Sequence, residues 1–142
     1  MHHITEARCL DAFAGSGALG LEAWSRGAAE VTFIEQSPLA YRNLGQTLRQ
    51  FNSPKLQLLQ TDAYQYLQNQ APKYNLIFLD PPFAQTHLPA CLQNMKVLEP
   101  GGLLYVESET PPQLDEALWQ TIRSKKAGQV HYGLYKKTDG KP

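Results

Sequence analysis

Asn75-Leu-Ile-Phe-Leu-Asp-Pro-Pro-Phe83 is the stretch on which the reading of this chain turns. Leu76 to Leu79 is an apolar run of the length of a buried strand. Asp80 places a carboxylate where that strand ends, and Pro81-Pro82 stops the ladder because neither residue has an N–H to donate. Phe83 follows as an aromatic with no strand left to pack into. In an open α/β sheet, ligands bind in the crevice beyond the carboxyl ends of the strands. A carboxylate, a stiff Pro-Pro and a ring at that spot therefore predict chemistry.

Upstream, Arg8 to Phe13 reads as a strand running into Asp11-Ala-Phe-Ala-Gly15-Ser-Gly17-Ala-Leu-Gly20. Helical spacing carries on through Leu21 and Trp24, with Gly27 as the stop. Val31 to Ile34 is a short β-branched strand ending at Glu35, and Ser37-Pro38 opens a helix to about Phe51. Leu56 to Leu59 is the next strand, after which Asp62 caps a short helix, with Gln65 completing a capping box.

Downstream of Asp80, the pattern predicts a helix from about His87 to Leu98, a Glu99-Pro-Gly-Gly102 turn and a strand from Leu103 to Val106. Asp115 to Ile122 is expected to be helical, and Lys125 to Lys137 to form two short strands around Gly128. Strands alternating with helices imply an α/β fold whose mostly parallel sheet is covered on both faces, with a terminal hairpin adding an antiparallel edge. A length of 142 residues without repeats, linkers or low-complexity segments fits a single domain over residues 1–142.

The 13 basic and 13 acidic residues cancel, which argues against a protein held to nucleic acid by overall charge. Their distribution is uneven. From Gln120 onward six basic residues, Arg123, Lys125, Lys126, Lys136, Lys137 and Lys141, face one acid, Asp139. Such a tail can touch phosphate or form a solvated terminal face. No apolar run approaches the roughly 18 residues needed to cross a bilayer. Met1-His2-His3 carries no charged-then-apolar signal, so a cytoplasmic protein without a membrane partner is expected. Cys9 and Cys91, far apart and without C-x-x-C spacing, predict two reduced, packed thiols and no metal site. His2, His3, His87 and His131 show no ligand spacing and are expected on the surface or in turns; Trp24 and Trp119 are expected in the core.

The Gly15-Ser-Gly17-Ala-Leu-Gly20 segment, between a strand and a helix, is a nucleotide-type loop. Glycines let the backbone turn tightly and a ligand lie against it, while free N–H groups at the helix start favour an anionic group. Glu35, ending the second strand, can accept from both hydroxyls of a ribose. These residues alone do not separate NAD from S-adenosyl-L-methionine. Three features favour the second. Asp11 lies ahead of the glycines, where it suits a cationic amino group and repels a pyrophosphate. Asp62 can accept from an adenine amine, although a helix cap explains it as well. Asp80-Pro81-Pro82-Phe83 has no use in hydride transfer. The candidate cofactor-binding residues are Asp11, Ala14, Gly15, Ser16, Gly17, Gly20, Glu35, Gln36, Asp62, Ala63 and Asp80; the candidate catalytic residues are Asp80, Pro81, Pro82 and Phe83.

That tetrapeptide suits methylation of an amine. An exocyclic amine on a purine is a poor nucleophile because its lone pair is delocalised into the ring. The Asp80 carboxylate and the Pro81 carbonyl can accept its two N–H bonds, aim the lone pair at a methyl donor and stabilise positive charge developing on nitrogen. Phe83 can stack on the base and fix its plane. Alignment of nitrogen, methyl and sulfur then supplies much of the remaining help.

With these motifs the chain resembles the class I S-adenosylmethionine-dependent methyltransferases. The run from Asp11 to Ala28, with Asp80-Pro-Pro-Phe83, Leu104-Tyr-Val-Glu107 and Ala127-Gly-Gln-Val130, is similar to the bacterial 16S ribosomal RNA guanine-N2 methyltransferase family. The likeness runs from about Arg8 to Lys137, and Gly20-Leu-Glu-Ala-Trp-Ser-Arg-Gly27 is its more family-specific part. The resemblance implies a Rossmann-like, doubly wound sheet of seven strands in the order 3-2-1-4-5-7-6. It also implies an enzyme whose partner is small-subunit ribosomal RNA or an assembling 30S particle, and a monomer is expected. Family members carry an N-terminal segment of some tens of residues that closes over the cofactor and helps hold RNA. Here the first strand begins at about Arg8 without it.

Rival readings stay open at this level. One is an NAD-dependent oxidoreductase. Another is an adenine-N6 methyltransferase acting on DNA or RNA with the same corner, and a third is a domain that binds cofactor or RNA without catalysis.

Overall fold

Apolar side chains on both faces put two short strands at the centre of the molecule: Cys9, Leu10, Leu76, Ile77 and Leu79 are each at most 1% exposed. The computed structural model describes residues 4–80, 92 and 95–138. In chain order these form β1 (Arg8–Asp11), α1 (Ala18–Ser25), β2 (Glu30–Ile34), α2 (Pro38–Arg49), β3 (Leu56–Leu59), α3 (Ala63–Asn69), β4 (Tyr74–Leu79), β5 (Leu98–Ser108), β6 (Trp119–Ala127) and β7 (Val130–Lys137). The strands make one seven-stranded sheet in the order β3-β2-β1-β4-β5-β7-β6. Strands β1 to β5 are parallel, and β7 runs antiparallel to both β5 and β6. This is the Rossmann-like class I methyltransferase order that the family resemblance implies, with the antiparallel terminal hairpin.

Two apolar clusters cover the two faces. One joins Leu10, Ile77, Leu104 and Val106 to Ala63 and Leu67 of α3; the other joins Cys9, Val31, Phe33, Leu76 and Phe78 to Ala23 of α1 and Leu44 and Leu48 of α2. Strand order reverses between β1 and β4, whose ladder pairs Cys9 with Leu76 and Asp11 with Phe78. A sheet wound in both directions from such a point leaves a crevice at the carboxyl ends of the two strands. Asp11 and Asp80 both stand at that crevice.

Five expectations are corrected. The first strand stops at Asp11 rather than Phe13, because Ala12 and Phe13 turn into the glycine loop. The helix expected from His87 falls largely outside the described residues. Leu92 is helical, but Met95 is not and Leu98 already pairs with Tyr74, so the helix does not reach Leu98. The Glu99–Gly102 turn survives as an irregularity within β5, since Tyr74 faces Leu98 while Leu76 faces Leu103.

The helix expected over Asp115–Ile122 is the larger miss. Asp115 closes a single turn by accepting from Leu118 and Trp119, and the chain enters β6 at Trp119. Pairing with β7 overrides the local helical spacing there. Finally, His131 is 3% exposed rather than superficial, with Nε2 2.7 Å from the Ser124 hydroxyl.

Trp119 is 5% exposed and belongs to the core, and Trp24 packs against the second cluster. Cys9 is fully buried, and burial pushes its thiol up to about 12, so it is inert. Cys91 and His87 lie outside the described residues. No helix among the described residues is long and apolar enough to cross a membrane.

Candidate functional site

The loop after β1 is built by glycines for two different reasons. Gly17 caps α1 at φ 82°, a left-handed conformation that a side chain disfavours. Gly20 lies under the Phe33 ring of β2, where a Cβ would collide with ring carbons. Helix α1 can thus pack closely on the sheet and present its first turn to the crevice.

Two carboxylates hold the loop. Asp11, only 3% exposed, accepts the Gly20 N–H on Oδ2 at 3.1 Å. Glu35 accepts the Gly15 N–H on Oε1 at 2.8 Å and the Ser37 N–H on Oε2 at 2.9 Å. Ser37 takes the expected N-cap position, yet among the described residues its hydroxyl makes no capping bond; its N–H serves Glu35 instead. Ala14 donates to Ile34 and accepts from Gly17, and the Gln36 carbonyl accepts from Gln60. Ser16 is exposed in the turn.

Burial pushes the Asp11 carboxyl up to about 7, against the Gly20 bond that lowers it; the charges of Asp80 and Glu35 push it further up. Three acids therefore converge on one crevice. Asp80 is exposed at the end of β4, and its carboxyl is raised by desolvation and by Glu107. On the far side, Asp62 caps α3 through Oδ1, which accepts from Tyr64 and Gln65 at 2.8 and 3.2 Å. Ala63 is buried beneath it. Phe13 and Tyr64 meet in a tilted ring contact, 5.4 Å between centres, that joins the loop after β1 to α3. Tyr66 bonds Tyr74 through its hydroxyl, so helix packing accounts for it.

Sequence reasoning passed over Glu107 as a site residue. The Leu79–Val106 register places Glu107 beside Asp80 on adjoining parallel strands and on the same face. Tyr105 donates its hydroxyl to Glu107 Oε1 at 3.0 Å, and burial with that neighbouring charge holds the Tyr105 phenol protonated. The signal was available. Asp11, Glu35, Asp80 and Glu107 are all acids at or just past a parallel strand end. Pro81, Pro82 and Phe83 lie outside the described residues, so only Asp80 of the tetrapeptide is located.

The residues present fit an adenosyl amino acid. Each Glu35 oxygen has accepted one backbone N–H, leaving lone pairs for a vicinal diol. Space is open beside Gly15, where a Cβ would meet no atom within 4 Å. Asp11 suits a cationic amino group, and Asp62 keeps Oδ2 for an adenine amine. A pyrophosphate would meet three acids. Among the described residues no cluster of His, Cys, Asp or Glu is arranged to hold a metal ion.

Sheet order, glycine loop and strand-end acids together define a class I methyltransferase. The family profile described as Conserved hypothetical protein 95 matches residues 1–136, and the chain belongs to that family. Ribosomal RNA small subunit methyltransferase D of Escherichia coli is 39% identical over 142 residues, covering 94% of this chain and 70% of that protein. The protein of the same name from Haemophilus influenzae is 36% identical over 145 residues, covering 95% of this chain and 74% of its own length. Among solved structures, "Putative methyltransferase yhhF from Escherichia coli" superposes with a TM-score of 0.86 at 38% identity, over 95% of this chain and 77% of that one.

Proposed function

We propose that the chain transfers a methyl group from S-adenosyl-L-methionine to the exocyclic N2 amine of a guanine in small-subunit ribosomal RNA. The observation that carries this reading is Asp80: an exposed carboxylate at the topological switch point, whose charge raises Asp11 and which is itself raised by desolvation and by Glu107. Relatives named as small-subunit ribosomal RNA methyltransferases, matched over most of this chain, supply the substrate class.

When bound, S-adenosyl-L-methionine supplies an electrophilic methyl carbon. The chain's own residues orient what it reacts with. Asp11 would hold the cationic amino end of that group and Glu35 its ribose, through the lone pairs left free by the Gly15 and Ser37 N–H bonds. Asp80 accepts an N–H of the guanine amine, with the Pro81 carbonyl taking the other and Phe83 stacking on the base. Transfer of that methyl to the amine nitrogen would leave the nitrogen one proton to shed. Asp80, its proton affinity raised by desolvation and then by Glu107, is suited to receive that proton.

The test is transfer of radiolabelled methyl to unmodified small-subunit particles, followed by mapping of the labelled base. Label on the N2 of a guanine is the expected result. Label on an adenine N6 amine would replace the substrate assignment, and no transfer to any RNA would remove it.

A further inference from the structure

The sequence shows a run of basic residues near the end of the chain, and the structure divides it. Lys137 turns inward at the far end of the sheet, donating to the carbonyls of Met95 and Leu98 at 2.8 and 2.7 Å. Lys136 lies at that same far end, opposite Leu103. Arg123, Lys125 and Lys126 instead stand on β6 toward the hairpin tip, and all three are exposed. None of them has a carboxylate partner among the described residues.

Because β7 is antiparallel to β5, the tip of the β6–β7 hairpin reaches the same end of the sheet as the carboxyl ends of β1, β4 and β5. Register locates it closely. Glu107 pairs with Tyr132, and Tyr132 pairs with Lys125; Asp80 stands next to Glu107 on β4. A continuous row thus runs Asp80, Glu107, Tyr132, Lys125 across four strands and along one face. Three strand spacings put the ends of that row about 14 Å apart. Arg123, two residues along β6, faces the same way, and the Tyr105 and Tyr132 rings lie between, tilted against each other with centres 6.5 Å apart. On the opposite face the Ser124–His131 bond, made by a side chain 3% exposed, anchors the edge strand to the core.

We infer that the exposed β6 edge, through Arg123, Lys125 and Lys126, is the surface that binds the phosphate backbone of the RNA flanking the target base. The inference rests on the ribosomal RNA methyltransferase reading and adds to it where the strand lies. The division of charge gives the reason. Asp11, Glu35, Asp80 and Glu107 fill the crevice with negative charge, which admits a neutral base and repels phosphates. Arg123 and Lys125, on the same face as Asp80 and three strands from it, and Lys126, on the other face of the same edge, have no carboxylate partner among the described residues and offer those phosphates their place, with Tyr132 between as a platform against which a neighbouring base can lie.

The triple variant Arg123→Gln/Lys125→Gln/Lys126→Gln tests this, with Lys136→Gln as control for a basic residue at the other end of β7. Affinity for an unmodified small-subunit RNA transcript is measured against salt concentration, alongside titration with S-adenosylhomocysteine. At about 0.1 M salt the triple variant is expected to bind RNA at least about tenfold more weakly, its log–log salt slope being shallower by about 2, since each lost single-strand phosphate contact removes about 0.7. S-adenosylhomocysteine binding and the slope of Lys136→Gln stay as in the unaltered chain. An unchanged slope in the triple variant, with RNA still bound and methylated, overturns the hairpin surface and leaves the methyltransferase reading standing. An equal loss in Lys136→Gln overturns it as well, because the effect is then general charge. Failure of the unaltered chain to bind or methylate any RNA overturns both.

Discussion

Gly20 donates its amide N–H to Asp11 at 3.1 Å, so the first turn of α1 is tied to a carboxylate that the fold almost wholly removes from water. Burial wins over that hydrogen bond, and Asp11 is pushed up to about 7. An acid raised in the folded state contributes stability that is fully present below its unfolded value and lost as pH rises through the folded one. The unaltered chain should therefore lose thermal stability relative to Asp11→Asn as pH rises from about 4 to about 7, and little more above that. Affinity should move the other way, because a cationic amino group binds the ionised form. S-adenosylhomocysteine should bind about tenfold tighter at about pH 8 than at about pH 6, and Asp11→Asn should show no such gain by calorimetry.

Glu35 has two duties, since its carboxylate already holds Gly15 and Ser37. Glu35→Ala is expected to raise the S-adenosylhomocysteine dissociation constant at least about tenfold, from the lost diol contacts. It should also cost about 1–2 kcal/mol of stability, because two loop N–H groups lose their acceptor. Glu35→Gln, which keeps one acceptor oxygen, should recover part of the stability. A wild-type dissociation constant in Glu35→Ala would refute the ribose assignment.

Asp80 and Glu107 divide the chemistry differently. Asp80→Ala is expected to lower methyl transfer by about 10²–10³-fold, the scale of removing one preorganised group at a developing charge. Cofactor binding should be largely intact. Glu107 raises the Asp80 carboxyl, so Glu107→Gln lowers it and keeps Asp80 ionised to lower pH. The acid limb of the pH–kcat/KM profile should shift downward in Glu107→Gln. A limb that stays in place, in a variant still active, would deny Glu107 that role.

Gly20→Ala is a packing test. The added methyl meets the fully buried Phe33 ring, which cannot leave the sheet face. A loss of about 1–3 kcal/mol is expected in denaturant unfolding, with weaker cofactor binding as α1 is lifted off the crevice. Phe33→Leu in the same background should restore part of both.

The β-branched and apolar runs, the glycine loop and the acids that close the strands were legible because they are local. Strands β1, β2 and β4 are short, mostly buried apolar runs, and the periodicity of α1 and α2 survives in the residues themselves. Leu56–Leu59 fell where expected, and so did the caps at Ser37 and Asp62.

What the chain order could not supply is what depends on a partner strand. Strand β6 is an edge whose side chains, Trp119 apart, face solvent, so no alternation marks it; only pairing with β7 turns Trp119–Ile122 from apparent helix into strand. His131 looks like a surface residue until that pairing buries it against Ser124. Glu107 gains its place beside Asp80 from a register between residues 27 apart in sequence, and the basic run splits into two ends only once β7 folds back along β5. Local composition encodes which segments become strands and helices; hydrogen bonding between distant segments decides which charges meet, and therefore which of them can act together.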